Sequence, residues 1–511
     1  MNGTESKRWV TKKAFLNARN CPRWGWETLN GRDAPQSLVK EFLFHEGNAI
    51  GERAKRLFPA GIEITSKDPG EALVETSRAI LRNPTPVLFE PAFAYGRFIA
   101  RVDALVPSEN GFSLIEVKAA TARNVHLAEG EEYLKDLAYT VWVCRKAGLP
   151  VSSTKLWFLS HAYWYGESER LLFTENDCSG LIDRFLTSYE SDSDQIADLL
   201  LGERPTSKLL PICKGCEFKT ECFPDFDRYT IFHIPGINKR KLQEWIGQGI
   251  TKAEEIAEPS GFDTIQKRAK RATISREPFL DRRALGEELR SWKYPIAYLD
   301  FETIAPAYPV LEHTGPYEKI VTQFSLHIAQ KEGDSMNQVR ESHREYLADP
   351  EDLRASVIGL AKAMVDELPP SGSIVTYHKS FESKRIKWLI NWLDGQGEKE
   401  LAMRLKPLEE RIVDLEIAIR RGYYHPEFQG SYSIKHVLPA MIPALTYGDL
   451  EVHEGMTASC AFLNMVLGRE EEVMGKGIRM PTREDLKAYC KMDTWAMVEL
   501  HRKLLALLEV G

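Results

Sequence analysis

At 511 residues the chain is longer than one hydrophobic core usually supports, so two or three domains are expected. Apolar residues at 43% and charged residues at 28% describe an ordinary globular protein, and a net charge of −7 argues against a general polyanion binder, so nucleic-acid contact has to come from local basic patches or bound metal. No run approaches 18 consecutive apolar residues, and the first residues lack the apolar stretch of a signal peptide, so a cytoplasmic protein without a membrane partner is expected.

Cys21, in Asn20-Cys21-Pro22, is the first of eight cysteines. In a cytosolic chain, clustered cysteines indicate metal more often than a disulfide. Cys213-x2-Cys216-x5-Cys222 is such a cluster, it lacks a fourth ligand, and Cys21 is the best candidate. Zinc ribbons typically use two close pairs, whereas thiolates suit an iron-sulfur cluster equally well. Between these cysteines, residues 98–106 read as a strand, Pro107, Asn110 and Gly111 as a turn, and residues 113–118 as a second strand. Glu116 and Lys118 share a strand face, and Asp103 can meet them from the neighbouring hairpin strand. Carboxylates that hold a metal beside a lysine that positions or deprotonates water form a hydrolytic site. A solvated hairpin accounts for the same pattern taken by itself.

Residues 15 to 225 resemble the PD-(D/E)XK nucleases of the RecB-like iron-sulfur group. The resemblance implies a restriction-endonuclease-like fold stapled by a 4Fe-4S cluster on Cys21, Cys213, Cys216 and Cys222, with Zn²⁺ as the alternative. It also implies a Mg²⁺ or Mn²⁺ site on Asp103, Glu116 and His45, the last in Phe44-His45-Glu46, with Lys118 near the attacking water. The chain departs from that family in the helix of residues 132–142, which has no glutamine and carries Thr140 at the expected position.

After Pro224, residues 233–251 read as two short helices joined at glycines, and they resemble a helix-hairpin-helix whose amides and lysines grip phosphates. A structural spacer would look much the same. The run Lys267-Arg268-Ala269-Lys270-Arg271 reads either as a solvated face or as an approach for DNA.

The last region turns on Asp300 and Glu302. At positions i and i+2 of a strand they point the same way, and two carboxylates held that close require a cation or a raised pKa. A solvent-facing strand edge is the simpler explanation of one such pair. Downstream, however, Glu382 follows an aromatic after a polar turn, and Tyr489 and Asp493 lie at i and i+4 of a predicted helix. Four carboxylates and a phenol are the set for two-metal phosphodiester hydrolysis, with cations about 4 Å apart. Strands are predicted at 296–301, 322–328 and 373–377, and helices at 352–367, 383–393 and 484–507. That mixture suits a mixed-sheet, ribonuclease H-like fold. Asp414 reads equally well as a site residue or a helix N-cap, and Lys435 and His436 as phosphate contacts.

Asp300-x-Glu302, Glu382 and Tyr489-x3-Asp493 resemble the three motifs of the DnaQ-like (DEDD) 3′-5′ exonucleases, in their tyrosine-bearing subclass. Glu382 and His378 stand where aspartate and asparagine are usual. The whole arrangement resembles a bacterial family of unknown function that joins these two nuclease types. The expectation is therefore an α/β multidomain protein. Residues 1–225 would form the RecB-like domain, 226–290 a helical linker and 291–511 the DnaQ-like domain. It would hydrolyse phosphodiester bonds in DNA, or in RNA, with a 3′-5′ exonuclease site in the last domain and a second nuclease site in the first. The alternative is a nucleic-acid-binding scaffold with one or both sites inactive.

Overall fold

The computed structural model describes residues 8–32, 37–82, 85–121, 126, 130–224, 226, 229–257 and 261–509. These form an α/β protein of two units. The first takes the described residues up to 32, Leu43–Cys222 and Pro306–Tyr317, and the second takes Ser37–Phe42, Phe223–Ala305 and Glu318 onward. The expected linker is thus grouped with the second unit. Among the described residues no helix is long and apolar enough to cross a membrane.

In the first unit, a six-stranded mixed sheet runs in chain order through Ile62–Glu63, Leu88–Phe89, Ala104–Ser108, Gly111–Thr121, Val151–Leu159 and Phe173–Asp177. The strand expected over 98–106 is interrupted. Phe98–Arg101 pairs with Ala92–Tyr95 as a separate hairpin, and the chain then changes partner so that Ala104 faces Ile115. The break falls at Val102-Asp103, which leaves the Asp103 side chain free of the ladder's alternation. Helix Glu131–Lys146 covers this region with a run of buried residues from Leu137 to Cys144, and Trp142 packs edge-on against Phe98 with ring centroids 4.8 Å apart. All-round burial of a helix marks a core element.

The second unit is built on a five-stranded sheet. Ile296–Ile304 lies at its centre, antiparallel to Ile320–Ala329 and parallel to Ile374–Thr376. Arg344–Leu347 flanks the former and Ile412–Asp414 the latter. Phe301, at 2% exposure, faces the core, while Asp300 and Glu302 point to the other side, as a period of two requires. Helix Arg483–Glu509 contributes buried Tyr489 and Asp493 on one face.

Residues 233–251 contain one α-helix, Lys239–Gly247, rather than two. Pro235 removes a backbone donor and Gly236 takes φ +67°, so a helix cannot begin before the Asn238 cap. The basic run lies on helix Thr264–Ser275, where Arg268 meets Asp281 at 3.3 Å and Lys270 donates to the Ile256 carbonyl at 2.6 Å. Those two cations stabilise the fold, while Lys267 and Arg271 remain exposed.

Candidate functional site

The second unit gathers three of the four expected carboxylates. Ligand oxygens of Asp300, Glu302 and Asp493 lie within 4.8 Å of one another. Burial, then Asp493, pushes the Asp300 carboxyl well above the usual range, and burial, then Asp300, does the same to Glu302. Asp493 is raised to about 6 by burial, against the Tyr447 hydroxyl and the Lys435 ammonium. The sheet and the helix thus hold like charges at a spacing a divalent cation would relieve.

Glu382 lies outside that set of three. It occupies the first turn of helix Lys379–Gly395 and is 2% exposed, and its Oε2 has no hydrogen-bond partner among the described residues. Burial raises its pKa and so does Asp300, which places the two carboxyls within electrostatic reach. A buried carboxylate with one oxygen unpartnered among the described residues makes Glu382 a candidate metal ligand. Asp414 resolves toward the cap: its carboxylate accepts from Ile417 N at 3.2 Å and from Lys379 N at 2.8 Å, which pins the start of the Glu382 helix. His378 precedes that helix at φ +79° and meets Glu416 Oε2 at 3.0 Å.

Lys435 donates to the Tyr489 hydroxyl at 3.0 Å, with its ammonium 5.0 Å from that ring's centroid. Because the ammonium fills a phenol lone pair, Tyr489 directs its own proton to Asp493. Tyr447 donates to Asp493 Oδ1 at 2.5 Å and Cys490 reaches Asp300 Oδ2 at 3.6 Å. The sequence carried no signal for Tyr447, which lies 46 residues from its partner. His436 is exposed, and the desolvation it does meet lowers its pKa.

In the first unit the hairpin brings Asp103, Glu116 and Lys118 together. Asp103 Oδ2 accepts from Val117 N at 2.7 Å, and Lys118 donates to Glu116 Oε1 at 3.0 Å. Two unexpected residues complete the cluster. Lys12 donates to the same Glu116 oxygen at 2.6 Å and meets Asp136 at 3.3 Å, and Asp136 also takes the Lys118 ammonium. Lys12 comes from 104 residues away, beyond any local pattern. Asp136 was within reach of one, because it sits one turn before Thr140 on the same helix face. Thr140 itself is buried and bonds the Asp136 carbonyl at 3.4 Å.

This ring sets the protonation states. Burial favours neutral groups, yet Lys118 and Lys12 outweigh it at Glu116 and hold its pKa low. Glu116 and Asp136 likewise outweigh burial at Lys118 and hold it high. A lysine so committed positions water or stabilises charge rather than removing a proton. Burial and Glu116 raise Asp103 to about 7. Glu116 Oε2 is buried without a hydrogen-bond partner among the described residues, and Glu116 is one of the residues lining a cavity of about 570 Å³. His45 is half-buried on helix Leu38–Arg56 and is not among the residues lining that cavity.

All four expected cluster cysteines lie in the first unit. Cys21 joins helices Lys12–Asn20 and Pro22–Leu29, and Cys222 ends helix Lys219–Cys222. Burial raises the Cys213 thiol, and so do Cys21, Cys216 and Cys222, which places the four in electrostatic contact. No three of them come within 4.8 Å of one another. Four Zn–S bonds of about 2.3 Å would set sulfurs roughly 3.8 Å apart. Buried Glu27 and half-exposed Glu221 knit the same corner through Arg23 and Arg204.

Residues 297–433, the stretch carrying Asp300, Glu302 and Glu382, match a domain of unknown function, DUF2779. The chain is also similar to three mycoplasmal proteins. It is 27% identical over 237 residues to the uncharacterized protein MG366 homolog of Mycoplasma pneumoniae, which is 42% of this chain and 34% of that one. It is 25% identical over 222 residues to the uncharacterized protein UU173 of Ureaplasma parvum, covering 39% and 30%. With the uncharacterized protein MG366 of Mycoplasma genitalium it shares 26% over 235 residues, covering 42% and 33%. The chain thus spans about a third of the length of these relatives. A solved structure titled Crystal structure of SSO0001 aligns at 14% identity and TM-score 0.20, over 43% of this chain and 89% of that one.

Proposed function

We propose that the chain is a divalent-metal-dependent nuclease with a DnaQ-like 3′-5′ exonuclease site in its second unit and a RecB-like PD-(D/E)XK site in its first, acting on DNA or RNA. The observation that carries the reading is the packing of Asp300, Glu302 and Asp493 oxygens within 4.8 Å, with Glu382 beside them. The mixed sheet flanked by helices is what a ribonuclease H-like domain asks for, and the Asp103, Glu116 and Lys118 hairpin is what a PD-(D/E)XK domain asks for.

In the second unit, Asp300, Glu302, Glu382 and Asp493 would hold Mg²⁺ or Mn²⁺, which when bound lowers the pKa of water and stabilises the leaving oxygen. Lys435 and Asp493 fix the Tyr489 phenol in place, and its remaining lone pair would accept a hydrogen bond from the attacking water and so orient it. In the first unit, Asp103 and the open oxygen of Glu116 would hold metal, while Lys118 stabilises developing charge. Cys21, Cys213, Cys216 and Cys222, which act on one another electrostatically, would hold an iron-sulfur cluster, with a zinc ion as the alternative.

The test is time-resolved digestion of 5′-labelled single-stranded DNA with Mn²⁺ by anaerobically purified protein. A ladder shortening from the 3′ end, absent with Asp300→Asn, is expected. An identical digestion pattern from wild type, Asp300→Asn and Lys118→Ala would sink the assignment, and binding without cleavage would leave the scaffold.

Two further results are expected. Lys435→Met should lower kcat roughly tenfold to a hundredfold with little change in KM, and adding Tyr489→Phe should cost little more, because the two act as one unit. Metal affinity should rise with pH between about 5 and 7, as Asp493 and Asp103 lose protons with pKa values of about 6 and about 7. The stability of metal-free protein should run the other way. Carboxyls whose folded pKa is raised contribute most at acidic pH and less as pH rises through the folded value. Melting curves in EDTA and in Mg²⁺ across that range check both signs.

A further inference from the structure

The first-unit cavity has a wall that the carboxylate site does not explain. Helix Leu38–Arg56 and the turn after it present Phe44, Gly47, Asn48, Gly51 and Phe58 to it, spaced at three and four residues along one face. Trp157 lines the cavity too, with its ring stacked at 18° on Phe58 and the centroids 5.9 Å apart. Phe44 is 60% exposed. Gly47 and Gly51 sit inside the helix, where glycine is less favourable than alanine. Packing does not demand them, since a Cβ at either position would meet no atom within 4 Å. The volume they vacate is therefore cavity volume.

Glu116 lines the same cavity and is 2% exposed, and among the described residues its buried Oε2 has no hydrogen-bond partner. Five acidic side chains and three lysines line the space, so an anion enters it only with a bound cation. About 570 Å³ is room for one nucleotide rather than a base pair in a duplex. Flat backbone bounded by aromatic rings suits a planar ring system, and stacking on such surfaces is indifferent to base identity.

We infer that the glycine-paved helix face between Phe44 and Phe58 seats one unpaired nucleobase of a single-stranded end, stacked beside Trp157, with its phosphate toward Asp103 and Glu116. This rests on the nuclease reading of the first unit. It names what that site takes: a frayed or single-stranded terminus of any base, held at the base by the helix face.

The test uses the full chain with its second site disabled by Asp300→Asn, in Ca²⁺ to hold metal without turnover. The probe is a single-stranded thymidine oligonucleotide of about ten residues with 2-aminopurine at either end. Metal-dependent quenching of one terminal 2-aminopurine is expected. Gly47→Ala with Gly51→Ala should abolish the quenching and weaken binding roughly tenfold while Tm stays the same or rises by a few degrees, as alanine in a helix predicts. Phe44→Ala should weaken binding similarly without lowering Tm. Unchanged quenching in the alanine protein would overturn the inference, and so would a lowered Tm, which would assign the glycines to packing. The parent reading is judged separately, by Lys118-dependent cleavage in Mn²⁺. Cleavage that the alanine changes leave intact defeats the seat alone, whereas no binding and no cleavage by the parent protein defeats both.

Discussion

Asp300→Asn is expected to raise the melting temperature of metal-free protein while abolishing the exonuclease. Asp300 shares a space of 4.8 Å with Glu302 and Asp493 and also raises Glu382, so removing its charge relieves repulsion at three neighbours. The side chain keeps its shape, and Cys490 still has an oxygen to meet at 3.6 Å. A relief of 1 to 3 kcal/mol is reasonable for a buried unpaired charge, which corresponds to roughly 2–4 °C per kcal/mol in a domain this size. Activity should fall by at least about a thousandfold, since metal clamping of the leaving oxygen supplies several kcal/mol. Divalent metal should stabilise wild type strongly and the variant weakly. A variant that melts lower than wild type in EDTA would show that Asp300 is a structural hydrogen-bonding group.

Cys213→Ser carries the second large effect. Cys21 and Cys213 are 192 positions apart, and by the chain-entropy model a link closing so long a loop contributes about 5 kcal/mol. The ion network of Glu27, Arg23, Arg204 and Glu221 closes the same corner without the thiols, so a loss of 2 to 5 kcal/mol is expected rather than unfolding outright. Visible absorbance and thermal stability should disappear together in the serine variant, checked by spectra and melting of anaerobic protein. Wild type that is colourless and holds one zinc would overturn the cluster.

What could be read from sequence at these sites was whatever local periodicity carries. Asp300 and Glu302 follow from a period of two, Tyr489 and Asp493 from a helical turn, and Glu116 and Lys118 from strand alternation. Their closest helpers did not follow. Lys12 and Tyr447 are brought in by tertiary packing over tens to more than a hundred residues, and each stands in an unremarkable segment; Lys435 was expected as a phosphate contact, whereas the structure sets it on the Tyr489 hydroxyl. Short strands escaped for a different reason. Arg344–Leu347 and Ile412–Asp414 have four and three residues, too few for alternation to register. Asp103 was placed correctly against Glu116, although the strand proposed to carry it is broken there.

The segment Pro306–Tyr317 follows directly on the Asp300 strand in the chain but completes the first unit, where Ala307 N donates to Glu46 Oε2 at 2.9 Å and Tyr308 lies beneath the Arg53 guanidinium at 3.3 Å. Its consequence falls on synthesis. When Cys222 leaves the ribosome, the first unit still lacks a piece of itself that arrives only with Tyr317, about 5–20 seconds later at ordinary rates of elongation. Glu46, and Tyr163, whose hydroxyl meets that of Tyr308 at 3.1 Å, wait for these contacts through that interval. Cutting the gene after codon 222 would leave them waiting permanently, so the two activities are better separated by point substitution than by dissection.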